Sequence, residues 1–93
     1  MRLWPLGLYR VAGHSMQPTY QPGDTLLGWR WFRPKVGQVV VAQHERPLIK
    51  RITRLAAGQV WLEGDNPADS ADSRRFGALP PGRLEAVIIG KIP

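Results

Sequence analysis

Apolar residues along this chain come in short runs broken by glycine, proline and small polar residues, a spacing that predicts strands rather than helices. Residues 6–12 predict a first strand and residues 25–32 a second, in which Trp29 and Trp31 share one face and Arg30 takes the other. Arg33-Pro34-Lys35 ends that run. Residues 37–42 are β-branched and too few for a helix, and their unbroken apolar character predicts a strand buried on both faces. A polar turn at 43–47 forms the tip of a hairpin whose return strand is 48–54. A second turn at 56–59 leads to a short strand at 60–63, and a final strand lies within 83–92 around Val87, Ile88 and Ile89. Between them, residues 64–81 are dense in Gly, Pro, Ser and Asp and predict a long irregular loop, of the kind that is often functional. No internal repeat and no amphipathic helix is visible. Five or six short strands predict an all-β chain forming a single domain over 1–93, a small, partly closed β-barrel or folded antiparallel sheet.

The loop between the first two strands carries the first candidate chemistry. Pro18, Pro22 and Gly23 forbid a helix after Gly13, so Ser15 sits on a stiff turn that could present it to a ligand. Turn serines are common, and a serine is a poor nucleophile until a base takes its proton. His14 is adjacent, but neighbouring side chains on an extended chain point to opposite sides. His44 with Asp65 or Asp72 would complete a triad, yet it lies in the polar stretch Gln43-His44-Glu45-Arg46, where an exposed turn histidine is the plainer reading. Lys50 is the better base. Leu48, Lys50 and Ile52 fall on one strand face, so the ammonium is drawn out of water. Desolvation disfavours the charged form, and bringing a lysine from about 10.4 to near 7 costs about 4 kcal/mol. A lysine that snorkels from an edge strand fits the same pattern, and the pattern alone leaves both readings open.

Three stretches taken together resemble the serine/lysine-dyad peptidases of the type I signal peptidase family. They are Gly13-His14-Ser15-Met16-Gln17-Pro18-Thr19 with Gly23-Asp24, then Lys50-Arg51, then Gly64-Asp65-Asn66 through Ser70, Asp72, Ser73 and Arg74. The resemblance runs through nearly the whole chain in the family's order. It implies Ser15 as nucleophile and Lys50 as general base, with Ser70 orienting the lysine. It also implies that Asp72 bridges Arg51 and Arg74, which pins the long loop to the lysine strand. Gly13, Ser15 and Met16 form the oxyanion and substrate loop. Some family members carry a hydroxyl two residues before the nucleophile; here that position is Gly13, so a second oxyanion donor has to be backbone or water. Met16 reads equally as a cleft wall and as core. Asp65 and Asn66 read as the turn that sets up the loop. The short chain and the Gly-Asp-Asn-Pro sequence most resemble the nickel-type superoxide dismutase maturation proteases. Their substrate would be the N-terminal extension of that enzyme's precursor.

Charge and composition narrow the rest. Thirteen Lys and Arg against seven Asp and Glu leave +6, which favours acidic partners, but the basic residues are spread without a block. There are no cysteines, hence no disulfide framework and no thiolate metal site, and no His cluster that would hold a metal; no cofactor is expected. The apolar start, residues 1–8, is short and broken by Pro5 and Gly7, against about 20 apolar residues for a spanning helix. No transmembrane anchor is expected, unlike most signal peptidases, and the expectation is a soluble, cytoplasmic protein. Two rivals remain. One is a signal-peptide-processing or self-cleaving repressor-type peptidase with the same dyad. The other is a basic β-barrel binding single-stranded nucleic acid through Trp29, Trp31 and nearby arginines. Trp29, Trp31 and Phe32 at strand spacing otherwise read as core or dimer contacts, or as a membrane-facing segment.

Overall fold

The computed structural model describes residues 4–93, and the first three residues of the apolar N-terminal run lie outside the described residues. Its regular structure is almost entirely β: β1 (Leu6–Arg10), β2 (Thr25–Trp29), β3 (Val39–His44), β4 (Arg46–Ala56), β5 (Gln59–Glu63) and β6 (Leu84–Ile92). All ladders are antiparallel, and the strands form one sheet in the order β1-β2-β6-β3-β4-β5. The all-β expectation holds, in the form of an open sheet: β1 and β5 are its two edges and, among the described residues, no ladder joins them. Register shifts at Leu27/Gly28, Val41/Ala42 and Ile52/Arg54 bend the strands locally. The last strand in sequence lies in the middle of the sheet, between β2 and β3.

The β-branched run does what its composition implies. Val39 to Ala42 are all buried, and Val40 and Ala42 join Ile52, Val60, Leu62 and Leu79 in one core cluster. Phe32, Phe76, Leu84 and Val87 pack against it. The two hairpins are tighter than composition suggested. Ala57 and Gly58 both take positive φ, 52° and 72°, which gives the two-residue turn whose twist suits the flanking strands. At the other tip only Glu45 lies between β3 and β4, with φ 62°. Residues 43–47 are therefore mostly strand, and Gln43 pairs with Pro47. Their polar side chains mark the far end of a ladder rather than a loop.

Two further expectations change. The segment at 64–81 is not wholly irregular: it holds a 3-10 turn at Pro67–Asp69, a one-turn helix α1 (Ser73–Phe76) and the start of a second 3-10 turn at Pro81–Arg83. The second strand stops at Trp29, so Trp31 does not continue its face. Trp31 is 58% exposed and meets Trp29 edge to face at 6.1 Å, while Arg30 turns back to the Leu6 carbonyl at 2.8 Å. Trp31 is thus a surface residue and not core. Among the described residues, no helix is long and apolar enough to cross a membrane.

Candidate active site

The serine loop is closed at its neck by two backbone bonds, Val11 N to the Asp24 carbonyl at 2.9 Å and Gly23 N to the Val11 carbonyl at 2.8 Å. Inside it, Tyr20 N donates to the Met16 carbonyl at 2.9 Å, and the Asp24 carboxylate accepts from Gln21 N at 2.8 Å. Met16 is 1% exposed and also lines the cleft beside Ser15, so it is core and cleft wall at once. Gly13 has φ 77°, a conformation open to glycine at no steric cost. With its base fixed, the loop holds Ser15 over β4.

Lys50 rises from β4 between Leu48 and Ile52, and all three side chains are buried, the lysine to 5% exposure. Its Nζ lies 2.8 Å from Ser15 Oγ. Burial is the main influence on the amine and lowers its pKa from the usual lysine value; the nearby Asp72 carboxylate opposes this, and Arg46 and Arg74 reinforce it. An ammonium at this position donates to Ser15, whereas the neutral amine accepts the hydroxyl proton over the same distance.

Beside the Ser15–Lys50 contact lies Asp72, 1% exposed. Its Oδ2 accepts from Ser70 Oγ at 2.6 Å and Gly64 N at 2.8 Å. Its Oδ1 accepts from Arg74 N at 3.1 Å, capping α1, and from Arg74 Nε at 3.0 Å. Burial alone would push the carboxyl up. The guanidinium, the hydroxyl and the two amides outweigh it and hold Asp72 well below the usual carboxylate range. Ser73 Oγ accepts from Leu62 N at 2.8 Å, which ties α1 to β5.

A second acid anchors the serine loop. Arg51 forms a two-pronged contact with Asp65, Nε to Oδ1 at 2.9 Å and Nη2 to Oδ2 at 2.8 Å, and Thr19 Oγ1 donates to Asp65 Oδ2 at 2.6 Å. The Arg51 hydrogen bond holds the Asp65 carboxyl below its ordinary value, against the opposing effect of burial. Asn66 follows: its backbone N donates to the Ser15 carbonyl at 2.8 Å and its Nδ2 to the His14 carbonyl at 3.0 Å. Gly64 permits the approach. A Cβ there would run into Ser70 Oγ and lie 2.6 Å from the Ser15 carbonyl oxygen.

Residues 5–92 match the Peptidase S24-like family. The chain belongs to that family. Among curated relatives of this S24-like chain are two subunit 1 proteins of the mitochondrial inner membrane protease. The one from Schizosaccharomyces pombe is 46% identical over 46% of this chain and 27% of its own length. The one from Xenopus tropicalis is 43% identical over 60% and 31%. Subunit 2 of the same protease from Mus musculus is 31% identical over 83% of this chain and 61% of its own. The chain therefore spans 27% to 61% of the length of these relatives.

The structure brings Ser15, Lys50, Ser70, Asp72 and Arg74 together and departs from expectation at Arg51. Asp72 does not bridge Arg51 and Arg74; it serves Arg74, and Arg51 belongs to Asp65. Lys50 and Arg51 are successive strand residues and leave β4 on opposite faces, so the acid on the lysine's side is not placed for both. The Ser70 proton goes to Asp72. Any orienting of Lys50 by Ser70 therefore uses the hydroxyl's lone pairs. His14 is exposed. His44 is not an exposed turn residue: it ends β3, and its ring packs on Phe76 at 4.2 Å. Asp65, Asn66 and Thr19 are positioning residues that strand parity could have suggested, since Arg51 needs an acid on its own face. Among the described residues no cluster of His, Cys, Asp and Glu is suited to a metal ion.

Proposed function

We propose that this chain is a serine endopeptidase in which Ser15 is the nucleophile and Lys50 the general base. The observation that supports it most directly is the 2.8 Å contact between Ser15 Oγ and a buried lysine Nζ. The neutral amine takes the Ser15 proton as Oγ attacks the scissile carbonyl carbon. The Ser15 amide stands beside the developing oxyanion. The Lys50 ammonium then gives its proton to the leaving amine, the peptide C–N bond breaks, and an ester to Ser15 remains. A water gives a proton to Lys50 as it attacks that ester. The bond between Oγ and the acyl carbon then breaks, Lys50 returns the proton to Oγ, and the carboxylic acid fragment leaves.

The cleft beside the dyad holds about 80 Å³ and is walled by Val11, Met16 and the β4 segment from Arg46. A volume of that size suits one small side chain of an extended segment. The Gly-Asp-Asn-Pro sequence supports a narrower reading, in which the substrate is the N-terminal extension of a nickel superoxide dismutase precursor, cut in the cytoplasm without lipid. The mitochondrial inner membrane protease relatives support a second reading, processing of a preprotein at a membrane. Turnover of the precursor against a signal-bearing preprotein, each with and without anionic vesicles, separates them. Single-site cleavage of the precursor in both conditions upholds the first. Cleavage of the preprotein that appears only with vesicles replaces it with the second, and no Ser15-dependent cleavage of either removes the peptidase assignment.

A further inference from the structure

Beyond the catalytic cleft, past the Arg46–Leu48 stretch of β4, lies a larger hollow of about 320 Å³. The two share a wall, because Arg46 and Leu48 line both. The floor of the hollow is apolar, made by Leu48 and by Phe76 under the His44 ring. Its rim carries the guanidiniums of Arg46 and Arg75 against the single carboxylate of Glu45. The other arginines near the site are engaged by carboxylates, Arg51 by Asp65 and Arg74 by Asp72. Among the described residues, neither Arg46 nor Arg75 has a side-chain ion pair. His44 Nδ1 is buried with no hydrogen-bond partner among the described residues, and His44 lines this hollow. Two cations without an ion pair among the described residues, set over an apolar floor, are complementary to a carboxylate on a short aliphatic stem.

The geometry points to a distal specificity pocket that takes an aspartate or glutamate side chain of the substrate. Strand residues advance about 3.3 Å each, and Leu48 and Arg46 stand two and four positions along β4 from Lys50. A substrate strand laid along β4 thus brings a residue roughly two to four positions from the scissile bond over the hollow. The inference rests on the peptidase reading for the word substrate, and its test keeps the two apart.

A peptide that the wild-type chain cleaves, or one that binds Ser15→Ala where none is cleaved, is selected from a proteome digest. Glu, Ala and Lys are then placed in turn at each of the positions flanking its scissile bond. The expected result is one position, distinct from the residues at the bond, where Glu raises kcat/KM over Ala by about tenfold. In Arg75→Glu the Glu/Ala ratio at that position falls to about one or below and the Lys/Ala ratio rises above one. Ratios taken within one variant cancel any change in its folding or dyad. A flat Glu/Ala ratio at all positions in the wild type, or the same preference retained in Arg75→Glu, overturns the pocket. Fluorescence anisotropy of the same labelled peptides on Ser15→Ala distinguishes the two failures. Acid-selective binding without cleavage by the wild type keeps the pocket and removes the peptidase, whereas unselective binding removes the pocket whether or not cleavage occurs.

Discussion

Replacing Asp72 with alanine tests whether a buried carboxylate, rather than the ion pair visible beside it, holds the 64–81 segment to the sheet. Asp72 is 1% exposed and accepts from Ser70, Gly64 N, Arg74 N and the Arg74 side chain. Gly64 is buried as well, so alanine leaves its amide without a partner, at a cost of about 1–3 kcal/mol. Loss of the α1 cap adds about 1 kcal/mol. The Arg74 side chain is 40% exposed and water takes over most of its solvation, so its ion pair adds little. The expected loss is about 2–4 kcal/mol, which for a chain of this size lowers Tm by roughly 10–25 °C. Arg74→Ala should cost less than Asp72→Ala, because the carboxylate keeps the Ser70 hydroxyl and the Gly64 and Arg74 backbone amides as donors. Urea unfolding followed by tryptophan fluorescence measures both, with unchanged m-values as the condition for comparing them. The pH dependence gives a second reading. Because the folded pKa is depressed, the Asp72 contribution is complete above the unfolded carboxyl value of about 3.9 and is lost as pH falls through the folded value. The gap between wild type and Asp72→Asn should therefore close on acidification. Equal destabilisation by Arg74→Ala and Asp72→Ala, or a gap that does not change with pH, refutes the reasoning.

Ser15→Ala and Lys50→Ala should each abolish cleavage with the fold retained, and Lys50→Arg should be equally inactive because a guanidinium does not deprotonate; circular dichroism and a turnover assay check both points. Activity should rise with pH along a limb whose midpoint lies below the ordinary lysine value of 10.5, since burial lowers the Lys50 pKa, and a kcat/KM profile measures it. Lys50→Met should be inactive yet more stable than wild type. The lowered folded pKa means the buried ammonium is most costly at low pH and the cost fades as pH rises toward 10.5, so the margin should widen on acidification in denaturant titrations. Asn66→Ala removes one exposed bond to the His14 carbonyl, so stability should change by under about 1 kcal/mol while kcat falls about tenfold through misplacement of Ser15. An unchanged kcat removes Asn66 from the positioning role.

Strand parity carried much of the site. Leu48, Lys50 and Ile52 share one strand face, so the sequence pattern sets the lysine between two apolar neighbours, and the proline and glycine spacing isolates Ser15 on a loop. The same parity puts Arg51 on the opposite face, away from the acid beside Lys50, whereas the family resemblance implies one acid for both arginines. Motif order tells which charges occur, but two acids and two arginines allow more than one pairing. The short α1 was hidden for another reason. One turn is too brief for a 3.6-residue period to register, and it forms here because Asp72 caps it and Ser73 ties it to Leu62. The composition of the β3–β4 tip resembles a turn because its ladder extends beyond the core, where strand side chains meet solvent.

The two acids and their arginines also bear on how a base can persist here. A carboxylate near Lys50 works against desolvation, because its charge favours the ammonium, and Asp72 has that effect. Left unpaired, it would anchor the loop while favouring the ammonium over the neutral amine. Arg74 reconciles the two tasks: it completes the anchor through Asp72, and its positive charge, like that of Arg46, disfavours the ammonium. Asp65 can anchor the serine loop from the Arg51 side, and it is not among the charges that shift Lys50. The loop is thus fixed by two carboxylates, and the one close to the amine is the one whose charge is most fully engaged. Arg46, with no carboxylate partner among the described residues, stands both near Lys50 and on the rim of the distal pocket. A substrate acid bound there would offset part of the positive charge that helps keep Lys50 neutral. Its favourable effect should therefore be larger in KM than in kcat, since it strengthens binding while slightly weakening the base.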